Sequence, residues 1–343
     1  MKVTIKRIAE LSGVSIGTVD RALHNRSGVS PDTKARVEKI VAELGYKSNL
    51  IGKALVHGKN PITIGIIILS EEMSYYCSQM KKGIDKGFDE IEDFGIKAKF
   101  YFIHSFEPQE ILDVLNRAKM DNLSGLIIRP INNDKIKATI DSIVSKGIPV
   151  ITCSWDIPNS NRLCFVGQND YKEGRIAANL LEKIIGTKGK LGILCSSQSV
   201  LAQKKKIEGI EDYIKERELD IDIVDVIETK NKKSESFESA IHLLNSHDDI
   251  TAMAVLTACF DEVYKAVNIL ERKNLCIFQF GDSKPAEKYL KEGVLDFVIQ
   301  EDAVMNGYKA VRVLFEYLFY NRKFEGDKII IESAIKVMEN IDI

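Results

Sequence analysis

The 343-residue sequence contains no CxxC pair, and its six cysteines stand scattered at 77, 153, 164, 195, 259 and 276. Five of them sit in or beside apolar runs, which is the pattern of buried reduced thiols rather than of a disulfide scaffold or a zinc ribbon. Long hydrophobic runs are also missing. The longest, Ile62 to Leu69, includes a threonine and a glycine and is too short to span a bilayer. The first fifteen residues carry Lys2, Lys6, Arg7 and Glu10, which is not a secretory signal, so the expected location is the cytoplasm. Of catalytic signatures, GxGxxG, GxxxxGK[ST], HExxH and GxSxG are all absent. Gly186-Thr-Lys-Gly189-Lys-Leu-Gly192 has the wrong spacing for a phosphate loop and reads as a loop entering a strand. His242 and His247 are five apart, off one helical face, and read as surface residues. No catalytic constellation, metal site or cofactor is expected.

What is present is a charge asymmetry. The net charge of −2 divides into +6 for residues 1–60 and −8 for the rest. A basic segment on an acidic body suggests that the N-terminus alone meets a polyanion.

That segment reads as three short helices. Thr4 caps a first helix with Ile5, Ile8, Ala9 and Leu11, and Gly13 stops it. Ser15 caps a second over 16–23, with Val19, Ala22 and Leu23 on one face and Ile16, Gly17, Asp20, Arg21 and His24 on the other. Ser30-Pro31-Asp32 starts a third, with Val37, Ile40, Val41 and Leu44 as its apolar stripe. Two short helices around a glycine turn, closed by a third, suggest a helix-turn-helix unit whose second helix would enter the major groove; an ordinary three-helix bundle with a basic surface gives the same pattern.

Val3-Thr4-Ile5, Ile8-Ala9, Gly13-Val14-Ser15, Thr18-Val19, Arg21-Ala22-Leu23, Val29-Ser30, Thr33, Arg36-Val37, Leu44-Gly45-Tyr46 and Asn49 together resemble the headpiece of the lactose-repressor (LacI/GalR) family. The resemblance implies a sequence-specific DNA-binding dimer. It makes Thr4, Ser15, Thr18 and Ser30 phosphate contacts, which set register without reading sequence. Ile16, Gly17 and Arg21 take the base-facing positions, where arginine can bridge guanine O6 and N7. Gly17 offers no side chain and weakens its helix by about 1 kcal/mol relative to Ala. Asp20 and His24 depart from the family's usual Ser and Asn; His24 is one helical turn from the acid. Residues 49–57 match the family's hinge helix, which Asn49 caps. Leu55 would be a minor-groove wedge, with Lys53 and Lys59 near phosphates.

Beyond residue 60, apolar strand candidates recur at 62–69, 97–103, 124–128, 148–153, 163–167, 190–195, 221–228, 251–256, 275–280 and 295–300, mostly separated by helical patterns such as 75–94. Alternation of this kind predicts an α/β class with parallel sheets, here as two doubly wound lobes. The layout resembles periplasmic sugar-binding proteins of the ribose-binding type. The expected organisation is a headpiece over 1–47, a hinge over 48–60, and an effector-binding and dimerisation domain over 61–343. Lobe one would take about 61–157 plus 302–320. Lobe two would take 163–299 plus 321–343, with the first crossover at Ile157 to Leu163.

Ligands of open α/β sheets bind beyond the carboxyl ends of the strands. The candidates there are Ser74, Tyr75 and Tyr76, then Arg129, then Ser154, Trp155 and Asp156. In the second half they are Phe260 and Asp261, Asp282, and Gln300 and Glu301. The resemblance adds Lys204, where the family usually has arginine. Aromatic faces with carboxylates suit a sugar or sugar derivative. The expected protein is a ligand-controlled transcription regulator, with repression as the family's commoner mode. It would act as a homodimer on pseudo-palindromic operator DNA. The alternatives are a sugar-binding protein or an enzyme on the same fold.

Overall fold

The computed structural model describes residues 5–23, 27–44, 62–70, 75–105, 107–198, 200–272, 274–281, 283 and 285–341. Helices α1 (Ile5–Ser12), α2 (Ile16–Leu23) and α3 (Pro31–Glu43) pack around Ile8, Ala9, Val19, Ala22 and Val37. Gly13 adopts a positive φ of 66° between α1 and α2, a conformation that a side chain disfavours. Ser15 Oγ accepts from Thr18 N at 3.1 Å, capping α2, and Ser30 Oγ accepts from Thr33 N at 3.3 Å, capping α3 behind Pro31. These caps satisfy donors that the first helical turn leaves unbonded.

The body contains two six-stranded sheets. The first is built from β1 (Ile62–Leu69), α4 (Tyr75–Asp89), β2 (Ile96–Ile103), α5 (Pro108–Met120), β3 (Gly125–Ile128), α6 (Asp134–Ser145), β4 (Val150–Cys153) and β5 (Cys164–Gly167). The second is built from α7 (Asp170–Ile185), β6 (Lys188–Cys195), α8 (Leu201–Glu216), β7 (Asp220–Glu228), α9 (Lys233–Ser246), β8 (Ala252–Leu256), α10 (Phe260–Ile269), β9 (Cys276–Phe280), α11 (Ala286–Lys291) and β10 (Phe297–Gln300). The chain then returns through α12 (Ala303–Tyr320), β11 (Lys328–Ile330) and β12 (Ala334–Lys336).

Strand order is β11-β5-β4-β3-β1-β2 in lobe one and β12-β10-β9-β8-β6-β7 in lobe two. All pairings are parallel except β10 with β12. Parallel strands covered on both faces explain the near-continuous apolar runs, such as Ile62–Leu69, of which only Thr63 is not fully buried. Helix α12 packs on α4, completing lobe one. The helix expected over 75–94 ends at Asp89, and a short 3-10 turn, Glu92–Phe94, leads to Gly95 at φ 72°.

Two boundaries differ from the sequence reading. Residues 157–163 do not cross between lobes, because β5 pairs with β4 through Ile151↔Cys164 to Cys153↔Val166. The first crossing follows Gly167. The tail beyond residue 320 does not pass directly to lobe two either, since β11 first pairs with β5 in lobe one. Three-residue strands at a sheet edge carry too little pattern to be read from sequence. Three crossings therefore join the lobes: Gln168–Asn169, Glu301–Asp302 and Ile331–Ser333.

Candidate DNA-binding face and interlobe site

On α2 the buried residues Val19 and Ala22 fix which face looks outward. Ser15, Ile16, Gly17 and Arg21 are exposed and Thr18 is partly so, with Ile16 at 53% exposure. Ser30 is exposed as well, while its hydroxyl caps α3 and bonds Thr33 Oγ1 at 2.9 Å. Thr4, His24, Asn49, Lys53, Leu55 and Lys59 lie outside the described residues, as do Ser74 and Asp282 of the expected pocket.

In the body, the carboxyl ends of β3 and β4 bring Arg129 and Trp155 together. The Arg129 guanidinium carbon stands 3.8 Å from the centre of the Trp155 ring and 4.9 Å from that of Tyr76, a stacked cation–π arrangement. Its Nη1 donates to Cys77 Sγ at 3.4 Å. Ser154 adopts a φ of +66°, a left-handed conformation unusual for a residue with a side chain, and this turns the chain so that Trp155 follows β4 sharply. Tyr75 is 39% exposed. Burial pushes the Tyr76 hydroxyl well above its ordinary value, Glu301 adds to this, and Arg129 opposes it. Burial likewise pushes the Cys153 thiol up to about 12, so it is no nucleophile at neutral pH.

Behind these residues lies a neutral network at the first crossing. Asn306 Nδ2 donates to Tyr76 Oη at 2.7 Å and to Gln168 Oε1 at 2.9 Å, and Gln168 Nε2 donates back to Asn306 Oδ1 at 3.2 Å. All three residues are buried. Sequence reading missed Gln168 and Asn306. The signal was there in Asn306, a polar residue on the stripe of α12 that also carries Ala303, Ala310 and Leu314.

Adjoining it, through Glu301 against the Tyr76 hydroxyl, lies a charged cluster. Lys206 Nζ sits 2.6 Å from Asp170 Oδ1, 3.0 Å from Glu173 Oε2 and 2.9 Å from Glu301 Oε1. Lys206 and Glu173 are 3% and 2% exposed. Glu173 Oε1 also accepts from Ser333 Oγ. Burial disfavours the ammonium, yet the three carboxylates outweigh it and hold Lys206 charged. Burial raises Glu173 to about 7, Lys206 opposes, and Glu301 and Asp170 add to the rise. The three carboxylate oxygens lie close enough to surround a metal ion, but the Lys206 ammonium already stands within 3.0 Å of all three residues. Lys206, Asp170 and Glu173 were also missed. Lys206 interrupts the apolar stripe of Ala202, Ile210 and Tyr213 on α8, which is the mark it left in the sequence.

Three expected pocket residues, Asp156, Phe260 and Asp261, have other roles. Asp156 is held by Arg162 through Nε at 2.5 Å and Nη2 at 2.7 Å, and accepts from Thr152 Oγ1 and Ile157 N. It braces the loop before β5 rather than lining the cleft, and Arg162 continues to Asp327 ahead of β11 at 3.1 Å. Phe260 is 2% exposed in the core of lobe two, 5.2 Å from the Tyr289 ring. Its position one residue into α10 turns it inward. Asp261 is exposed and accepts from Tyr289 Oη. Lys204 is exposed in the first turn of α8, on the side away from Lys206. Gln300 and Glu301 border a cavity of about 250 Å³ between the second and third crossings, with Asp302, Val304 and Glu332.

Residues 64–322 match the model of the periplasmic binding protein domain, and residues 4–49 match that of the bacterial regulatory proteins of the lacI family. Catabolite control protein A of Staphylococcus epidermidis is 26% identical over 228 residues, 65% of this chain. That match spans 64% of the length of the relative. The HTH-type transcriptional repressor PurR of Haemophilus influenzae is 23% identical over 79% of this chain and 77% of its own. Among solved structures, GanP, a glucose-galactose binding protein from Geobacillus stearothermophilus, superposes with a TM-score of 0.76 at 22% identity, over 82% of this chain and 99% of that one. No described helix is long and apolar enough to cross a membrane.

Proposed function

We propose, for a chain that belongs to the periplasmic binding protein domain family and carries a lacI-family headpiece, the role of a transcription regulator controlled by a small ligand. The observation that carries the reading is the outward face of α2, where Ile16, Gly17 and Arg21 stand exposed above a core that fixes their direction. Arg21 reads a base edge; Ser15, Thr18 and Ser30 set register on phosphates. Two headpieces on a homodimer would engage the half-sites of a pseudo-palindrome. Thr4, His24, Asn49, Lys53 and Leu55 join the DNA contacts by the same resemblance. The setting is the cytoplasm, and no catalytic step is assigned.

The effector binds between the lobes. Tyr75, Tyr76 and Trp155 offer aromatic surface, and Ser154, Arg129, Lys204, Gln300 and Glu301 offer hydrogen bonds from both sides of the crossings. Ser74 and Asp282 belong to the same rim by their place after β1 and β9. That chemistry suits a polyhydroxylated molecule, a sugar or a derivative of one. Differential affinity of the effector for two lobe arrangements is the means by which it biases DNA binding, a coupling worth typically ~1–3 kcal/mol.

Selection from random duplexes tests the DNA role. A pseudo-palindromic consensus is expected, and Arg21→Ala should bind that consensus and a scrambled duplex equally. Equal loss on both duplexes would make Arg21 a phosphate contact. No enrichment would refute the regulator reading. A thermal-shift panel of pentoses, hexoses, polyols and sugar phosphates tests the effector, since ligand at ~100 times Kd adds about 2.7 kcal/mol.

A further inference from the structure

We propose that Lys206, with Asp170, Glu173 and Glu301, is a proton-sensitive pin of the interlobe hinge, so that one ionisation at Glu173 alters how the two lobes are held. The proposal draws its bearing on the effector from the regulator reading, but the pin itself does not depend on that reading.

The geometry is specific to the crossings. Asp170 is the first helical residue after the first crossing, Glu301 lies in the second, and Ser333 of the third bonds Glu173. One ammonium on α8 therefore binds, directly or through one carboxylate, every covalent connection between the lobes. It is held at this spot by close backbone approach: a Cβ on Gly174 would lie 2.0 Å from Lys206 O, and one on Gly209 would lie 2.2 Å from Tyr171 O. The α7 and α8 backbones can thus touch, and Lys206 reaches the first turn of α7.

The charges do not balance with every carboxylate ionised. Asp170, Glu173 and Glu301 face Lys206, and the next cation is Arg129, which acts on both Asp170 and Glu301 from lobe one. Two carboxylates match two cations; a third leaves one buried negative charge uncompensated. Glu173 is the group that gives way. Its Oε2 lies 3.0 Å from Lys206 Nζ without hydrogen-bond geometry, and its Oε1 has, among the described residues, the Ser333 hydroxyl alone. The outer charges on the same side, Lys172 and Glu332, pair with each other at 3.4 Å in solvent, and the β9 neighbour of Lys206 is the Phe280 ring at 5.8 Å. A carboxyl held up to about 7 releases its proton within the physiological range. Ionised, it repels Glu301 and Asp170 and favours water, so the dry packing of α7 against the crossings is weakened, while the Ser333 hydroxyl opposes this by donating to the carboxylate.

The test reads lobe orientation directly in the full chain without ligand. Spectroscopic labels are placed through unnatural amino acids at Met120 in lobe one and Ile269 in lobe two, which are 85% and 65% exposed. Interlobe distance is followed from pH 5.5 to 8.5. The expected result is a change of distance distribution centred near pH 7, absent in Glu173→Gln, which keeps the acceptor for Ser333. Ser333→Ala should move the midpoint upward, because its hydroxyl favours the ionised form. A wild-type distribution that is flat with pH overturns the proposal. So does the same change persisting in Glu173→Gln, which would assign it to histidines, or an unmoved midpoint in Ser333→Ala. If the lobes respond as expected while no sugar or polyol binds, the pin stands and the effector reading fails instead.

Discussion

The two lobes share one architecture and hold their hinge ends differently. Each places a parallel sheet between helices, and each joins two helices through glycine. A Cβ on Gly83 of α4 would meet Val304 O at 1.8 Å, as one on Gly174 of α7 would meet Lys206 O at 2.0 Å. Yet the hydrogen bonds of lobe one at the crossings run through the uncharged trio Tyr76, Asn306 and Gln168, with Arg129 acting on the acids only at longer range, and those of lobe two run through Lys206 and its acids. The difference shows that the same mechanical need has a neutral and an ionic solution. Only the ionic one couples the hinge to proton concentration.

The largest expected effect lies on the ionic side. Lys206→Met removes the one cation among the described residues within 3.0 Å of buried Glu173 and half-buried Asp170 and Glu301, and should cost ~3–5 kcal/mol in denaturant unfolding. Asn306→Ala, its neutral counterpart, leaves Tyr76 and Gln168 short of one partner and should cost ~1–3 kcal/mol. Equal costs would erase the distinction between the two hinge ends. Gly174→Ala and Gly83→Ala should each cost ~1–3 kcal/mol, because a backbone carbonyl must move to admit the methyl group. A large gap between them would mean that one helix pair yields more readily than the other.

The remaining effect is a slope. Glu173 has a folded-state pKa of about 7 against an ordinary 4.5, so the folded chain binds the extra proton between those values. Its contribution is full below about pH 4.5 and is lost as pH rises through 7, the sign opposite to that of an ordinary salt-bridged carboxylate. Glu173→Gln should flatten this part of the stability profile, measured as denaturation midpoint against pH. Lobe one offers no counterpart in its trio, since Tyr76 is pushed upward, away from the physiological range.

Periodicity made most of the fold legible. Ten apolar segments became ten strands, and Ser15 and Ser30 mark helix starts that the structure retains as caps. The first crossing was misplaced because proline and two asparagines at 157–163 read as a linker, while the hydrogen bonds of β5 are a long-range property that no local pattern carries. At the site, position beyond a strand end found Arg129 and Trp155 but also Phe260 and Asp156, whose directions depend on helix phase and on Arg162. Lys206 and Asn306 were visible as polar interruptions of apolar stripes. Their partners lie 95 and 138 residues away in the pairs with Glu301 and Gln168, and no spacing rule reaches so far.

The chain crosses between the lobes three times, which has a kinematic consequence. A single tether leaves one body free to swivel about every axis, and two leave rotation about the line through them. Three, bound side by side by the Lys206 cluster, behave as a strap hinge: shear and torsion would stretch one crossing against another, and flexing remains. One angle then describes the softest motion of the body. A molecule lodged at the mouth needs only to select a value of that angle for its presence to be felt at both ends of the strap.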